Sequence, residues 1–291
     1  MNVLHILDVG DWTDTPAPEE RDKAAIALEG GTVLFFPRLA FRLGQEERLL
    51  LSPEVSDGKA KNVSLKPDGE LRGTSCTGEP AGILKSMIER FAETTTRFVA
   101  ALVPAYEGHL QRASTSYRPV EIAGRPASAI YDDTRLHVDA FPSRPMRGRR
   151  ILRVFSNINP DKAPRVWRVG EDFETMARRF LPAAREGSRA WVHVLRALGI
   201  TKGVRSRYDD LMLSLHDNAK RNDDYQQSSA QTEIRFPAGS TWICYTDQVM
   251  HAALAGQYVL EQTLHLGVEA MVTPERSPLR ILERLRGRAL I

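Results

Sequence analysis

Through the first hundred residues the apolar positions fall mainly at helical spacing, and beyond residue 115 they fall in short alternating runs. DKAAIALEGGTVLFFP predicts a short helix, a Gly-Gly break and a strand closed by proline. Residues 52–79, rich in Gly, Ser, Lys and Pro, predict loop. In AGILKSMIERFAETTTRFVAALVPAY, the positions Ile83, Leu84, Met87, Ile88, Phe91, Phe98 and Leu102 line one face of a long helix. RRILRVFSNINP is the clearest strand of the next block. Helical periods return in GEDFETMARRFLP, SRAWVHVLRALG and RYDDLMLSLHDNAKRN. A second strand block, TEIRFPAGSTWICYTDQVMHAAL and QYVLEQTLHLGVEAMV, precedes the basic amphipathic SPLRILERLRGRALI.

Two strand blocks separated by helices predict an α+β fold with both blocks in one sheet system. The reading is one domain over residues 1–291, with a helical insert at about 170–222 and a C-terminal basic helix at about 277–291. A net charge of +3 carries no nucleic-acid signature. Two cysteines exclude a disulfide scaffold and a Cys₄ zinc site, and suit reduced thiols in the cytoplasm. The acidic MNVLHILDVGDWTD lacks the features of a signal peptide, and no apolar run approaches the ~20 residues of a membrane span. The expectation is a soluble protein, at most peripheral to a membrane.

The chemistry begins at RLHVDAFPSRP. On a strand, His137 and Asp139 share a face, so an imidazole and a carboxylate can grip one ion. His251, in the second strand block at the edge of a small-residue loop, is the candidate third ligand. Two histidines and one carboxylate on one face are the ligand set of non-haem iron(II) enzymes, with three positions left open. Such ligands line the mouth of a double-stranded β-helix. His216 reads as a helix-end or surface residue and His265 as a strand residue, while His5, His109 and His193 lack acidic neighbours. The plain alternative is a hydrogen-bonded surface pair with an unrelated histidine.

An enzyme using 2-oxoglutarate needs a cation for the far carboxylate of that co-substrate, and arginine matches it bidentately. The window after His251 holds no Arg or Lys, and Gln262 stands in it. Arg153 lies inside an apolar strand and shares a face with Asn157. A charge there needs a partner. A bound dicarboxylate would supply it, and so would Glu261.

LHVDAFPSRPMRGRRILRVFSNINP, LMLSLHDNAKRNDDYQ and FPAGSTWICYTDQVMHAALAGQYVLEQTLHL together resemble the Kdo 3-hydroxylases, and the likeness runs over roughly residues 30–270. The resemblance implies a double-stranded β-helix (jelly-roll, cupin-like) core flanked by helices. It implies a dioxygenase using Fe(II), 2-oxoglutarate and dioxygen to hydroxylate C3 of the sugar 3-deoxy-D-manno-oct-2-ulosonic acid, Kdo, giving Ko. It further implies an acceptor such as Kdo-lipid A or a related lipopolysaccharide precursor, met at the cytoplasmic face of a Gram-negative inner membrane. His137, Asp139 and His251 fall on the family's iron-ligand motif.

An anionic sugar calls for cations near the mouth. Arg144, Arg147 and Arg149 follow the H-x-D directly, and Tyr131 precedes it. Lys61, Lys66, Arg72, Lys220 and Arg221 are further candidates, each equally readable as a solvated surface charge. The C-terminal stripe Leu279, Leu282 and Leu285, flanked by arginines, suits an anionic leaflet or docking on the protein body. The rival functions are a cupin-like metal-binding protein and a 2-oxoglutarate oxygenase of another substrate.

Overall fold

Helix and strand lengths follow the hydrophobic periods closely. The structure, a computed structural model, describes residues 3–124, 127–187, 196, 198–199, 201 and 203–291. The strands are β1 (Leu4–Ile6), β2 (Val33–Phe36), β3 (Val63–Leu65), β4 (Leu71–Arg72), β5 (Gln111–Arg118), β6 (Arg150–Asn157), β7 (Arg165–Gly170), β8 (Gln231–Phe236), β9 (Thr241–Tyr245), β10 (His251–Ala255) and β11 (Val259–Leu266). The helices are α1 (Pro18–Glu29), α2 (Gln45–Arg48), α3 (Gly78–Leu102), α4 (Phe173–Phe180), α5 (Arg207–Arg221), α6 (Asp223–Ser228) and α7 (Pro278–Arg286). The predicted helix SRAWVHVLRALG, with His193, falls largely outside the described residues.

Among the described residues the strands form two sheets, one ordered β1-β2-β9-β6-β11-β5-β3-β4 and the other β10-β7-β8. All pairings are antiparallel except β1 with β2. The two predicted strand blocks interleave, because β6 lies between β9 and β11. The sheets face each other across an aromatic layer. Trp242 stacks on Phe236 at 4.1 Å and on Phe155 at 5.2 Å, and Trp167 meets all three edge-on. This is the α+β arrangement expected from the pattern, with the double-stranded β-helix core that the resemblance implies. The long helix α3 packs on β5 and β11 and buries Leu84, Met87, Ile88, Phe91, Phe98 and Leu102.

Two expectations need correction, at residues 52–79 and 137–139, and one left open is narrowed. The 52–79 segment is not all loop: Val63 and Leu65 alternate around Ser64, are buried, and join β3 to β5. Residues 137–139 form no strand beyond a single bridge at His137. The C-terminal helix α7 presents its stripe to the protein body, with Leu279 and Leu282 in the core. Leu279 packs over Gly148, where φ is +83° and a Cβ would lie 2.7 Å from the leucine. Three of the α7 arginines and the following Arg288 are engaged, Arg280 with Glu283, Arg284 with Glu174, Arg286 with the Leu181 carbonyl and Arg288 with Glu186. No helix among the described residues is long and apolar enough to cross a membrane.

Candidate metal centre

Backbone pairing brings the three candidate ligands together. β10 opens at His251, opposite Val169 of β7. His137 meets His251 as an antiparallel bridge, its N–H donating to the His251 carbonyl at 3.0 Å and its carbonyl accepting from the His251 N–H at 2.9 Å. Two residues on, the Asp139 N–H donates to the Thr246 carbonyl at 2.7 Å. One donor atom each of His137, Asp139 and His251 then lie within 4.8 Å of one another, with His137 Nε2 3.8 Å from Asp139 Oδ1.

The imidazoles are set for ligation. His137 Nδ1 lies 2.7 Å from the Arg135 carbonyl and His251 Nδ1 2.8 Å from the Val249 carbonyl. A carbonyl only accepts, so each Nδ1 carries the proton and each Nε2 presents a lone pair. Trp167 stacks on the His251 ring at 5.2 Å, and His216 packs edge-on against His137 at 5.2 Å. His216 itself donates from Nδ1 to the Val138 carbonyl at 2.7 Å. It is therefore a neighbour of the centre, not a surface histidine, because α5 lies against the 136–138 segment.

Burial pushes both ligand imidazoles below their ordinary value, at His137 with help from the charges of His251 and Lys220. Burial would raise Asp139, but Arg153 and the two histidines outweigh it and hold the carboxyl well below the usual carboxylate range. Two neutral nitrogens and one carboxylate are thus present at neutral pH, a donor set that fits a divalent ion such as iron(II) with open positions.

Arg153 projects from β6 between Cys244 of β9 and Thr263 of β11. Its Nη2 lies 2.9 Å from Asp139 Oδ2 and its Nη1 3.0 Å from Glu261 Oε1, and Arg118 also pairs with Glu261. These groups line a cavity together with Phe155, Trp167, Ala253, Arg165, Lys61 and Asp133. Lys61 pairs with Asp133, whose carboxyl is brought down to about 2 because Lys61 and Arg118 outweigh its burial. The cavity mouth is therefore charged and the wall behind Trp167 is aromatic.

A profile for 3-deoxy-D-manno-oct-2-ulosonic acid (Kdo) hydroxylases matches residues 11–289. The chain belongs to the Kdo hydroxylase family. The crystal structure of the Kdo hydroxylase KdoO with cobalt(II), a non-heme Fe(II) α-ketoglutarate-dependent dioxygenase, is 48% identical, with a TM-score of 0.96 over 99% of this chain and 97% of that one. KdoO structures holding α-ketoglutarate with Fe(III), and succinate with Fe(III), are each 47% identical, with TM-scores of 0.95 over the same shares of both chains. No curated protein sequence matches the chain.

For a Kdo hydroxylase, several residues singled out from sequence stand elsewhere. Gln262 points to the opposite face of β11, where it accepts from Thr115 at 2.5 Å, so it faces away from the cavity. Asn157 shares the inward face with Arg153 but spends its amide on the carbonyls of Ala163 and Phe236, both at 3.0 Å, and its Oδ1 on the Asn159 N–H. Tyr131 is 75% exposed and offers Lys61 only its backbone carbonyl. Arg144 is exposed, Arg147 bonds the Val204 carbonyl, and Arg149 bonds Gln111 near the far end of β11. None of the four lines the cavity; the three arginines are carried away where the chain turns through Pro142, Pro145 and the left-handed Arg147–Gly148 pair. The cavity instead takes Lys61, Arg118, Arg165 and Trp167. Arg165 and Trp167 carried a readable signal, polar groups within the apolar alternation RVWRVG, as Arg153 did in RILRVF.

Proposed function

We propose that this Kdo hydroxylase uses His137, Asp139 and His251 to hold iron(II), and Arg153 to hold the far carboxylate of 2-oxoglutarate. The observation that carries the reading is the convergence of two Nε2 lone pairs and one ionised carboxylate beside a buried guanidinium. Bound iron with 2-oxoglutarate and dioxygen supplies the oxidising power to place a hydroxyl on an unactivated C–H bond, at C3 of the Kdo sugar. In a glycosidically linked Kdo, C2 is a ketal and no carbonyl acidifies the C3 protons, so this class of chemistry suits that carbon.

The chain's own part is positional. The carbonyls of Arg135 and Val249 hold both imidazoles in the ligating tautomer. Arg153 is already 2.9 Å from a ligand carboxylate, so a co-substrate chelated at the metal meets its second carboxylate close by. Glu261 and Arg118 buttress that guanidinium from the far side. Phe155, Trp167 and Ala253 keep one wall of the site apolar and restrict water.

The acceptor assigned is Kdo-lipid A or a related lipopolysaccharide precursor, met at the cytoplasmic face of the inner membrane. The excess of cations around the cavity favours such an anionic sugar. Interleaving of both strand blocks in one sheet favours a single dioxygenase domain, with α4 and α5 of the helical insert between β7 and β8. The test is incubation with Kdo-lipid A, iron(II), 2-oxoglutarate and air. A mass gain of one oxygen on the Kdo moiety, matched by succinate, is expected. Succinate without acceptor oxidation would move the reading to another substrate.

A further inference from the structure

The segment LMLSLHDNAKRNDDYQ supplies none of the three candidate ligands and none of the side chains that line the cavity. Its side chains turn instead to the main chain of the metal segment. Residues 136–139 alternate their hydrogen bonds from side to side, as an extended strand does. His137 and Asp139 bond toward the sheets, through the His251 bridge and the Thr246 carbonyl. Leu136 and Val138 bond toward α5 and α6, where no strand pairs with them among the described residues. Side chains take the place of that strand. Gln226 of α6 accepts at Oε1 from the Leu136 N–H at 2.7 Å and donates from Nε2 to the Leu136 carbonyl at 3.0 Å. His216 of α5 donates to the Val138 carbonyl. We propose that Gln226 is a positioning residue of the metal centre, acting on His137 through the peptide unit that joins Arg135 to Leu136. The proposal rests on the metal reading above.

That peptide unit is held at both ends. Its N–H, on Leu136, donates to Gln226, and its carbonyl, on Arg135, accepts from His137 Nδ1 at 2.7 Å. A line of hydrogen bonds therefore runs from the Gln226 amide through one peptide to the imidazole. Each bond polarises the next, so the amide oxygen makes the Arg135 carbonyl a better acceptor and fixes the plane in which it points. A ligating histidine takes its tautomer, its ring orientation and part of its basicity from the acceptor at its other nitrogen.

Gln226 can hold the peptide because its own amide has one satisfied orientation. Its second N–H donates to the Ala219 carbonyl at 2.9 Å, in the last turn of α5. Rotating the amide by half a turn would set Oε1 against two carbonyls and Nε2 against the Leu136 N–H. The helix beneath it is fixed too, since Asn222 caps α6 by accepting from the Tyr225 N–H at 2.8 Å. Arg135 ties the other end of the peptide to the same helices, donating to the Lys220 carbonyl and pairing with Asp223. His251 takes its acceptor from Val249, which Gln226 does not touch, so the two ligand imidazoles differ in their dependence on this residue.

The test compares the full chain with Gln226→Met, which keeps the length of the side chain and removes both bonds to Leu136. Metal-free protein carrying isotope-labelled histidine is studied by NMR at about pH 8, where an ordinary imidazole is neutral and its nitrogen shifts report the tautomer. Cobalt(II) is then titrated into each protein. The parent is expected to hold the Nδ1–H tautomer at both His137 and His251. In Gln226→Met, His137 is expected to become a mixture of tautomers while His251 keeps its signal, and cobalt is expected to bind about tenfold or more weakly. If Gln226→Met does not fold, Gln226→Asn, too short by one methylene to reach both Leu136 groups, is read in the same way. An unchanged His137 tautomer with cobalt affinity within about twofold of the parent overturns the proposal. Equal changes at His137 and His251 overturn it as well, because they would make Gln226 a support of the fold at large. A parent that binds cobalt no better than the variant refutes the positioning role alone, whereas a parent that binds no cobalt refutes the metal reading too.

Discussion

His137 and His251 exchange both backbone hydrogen bonds, at 3.0 and 2.9 Å, so the two imidazoles are placed by main chain and not by each other's side chains. Truncating one should leave the scaffold intact. His137→Ala is expected to unfold within a few degrees of the metal-free parent. Cobalt(II) should raise the melting temperature of the parent and leave that of the variant unchanged, since only a binder of the folded state stabilises it. Thermal scans with and without cobalt check this; equal stabilisation of both would place the metal elsewhere.

Arg153 is shared between Asp139 and Glu261. Arg153→Met is expected to weaken 2-oxoglutarate binding by about tenfold or more, the worth of one charge-assisted pair. Arg153→Lys should recover part of it. An anaerobic titration of co-substrate measures the change, and an unaltered affinity would remove Arg153 from the anchor role.

Burial pushes His265 down to about 4 from an ordinary 6.5. The unfolded chain then binds the proton first as the medium acidifies. The stability contributed by the neutral ring is full above pH 6.5 and is lost as pH falls through the range to about 4. His137, His216 and His251 are displaced in the same direction and add to the loss. Urea unfolding of metal-free protein should show a steep fall in stability across this range. His265→Gln should flatten it by on the order of 2–3 kcal/mol. A slope unchanged in the variant would contradict the assignment.

Asn157 satisfies two carbonyls and one N–H beside the β8–β9 turn. Asn157→Ala is expected to cost about 2–3 kcal/mol, because buried backbone groups lose their partners. The 2-oxoglutarate affinity of the folded fraction should not move. A variant with parental stability and weakened co-substrate binding would restore Asn157 to the site.

The buried Leu279 separates docking from membrane contact for α7. Leu279→Ala is expected to cost about 2–5 kcal/mol and to sediment with anionic vesicles as the parent does. Lower sedimentation at unchanged stability would mean that the stripe faces lipid.

The strand blocks were legible because alternation is a local property, and the set His137, Asp139 and His251 because its residue types are a metal-ligand set; the strand expected at 137–139 reduces to the single bridge that brings His137 to His251. Arg153 was legible as a charge within an otherwise apolar strand. Arg165 was harder: in RVWRVG both faces hold an arginine, and only the pairing of β7 with β10 decides that Arg165 faces the cavity. The Arg144–Arg149 cluster misled for the opposite reason, since closeness in sequence to the metal segment ended at the Pro145 and Gly148 turns. Lys61 reaches the mouth through the pairing of β3 with β5, a long-range contact that no local pattern contains. His216 becomes a neighbour of His137 by helix packing, which is likewise non-local.

The most direct measurement is visible absorption during anaerobic addition of 2-oxoglutarate to the iron(II)-loaded parent and to His137→Ala. A metal-to-ligand charge-transfer band in the parent, absent from the variant, is the predicted result. An iron-loaded, folded parent without the band would mean that 2-oxoglutarate does not chelate at this centre, and would contradict the account.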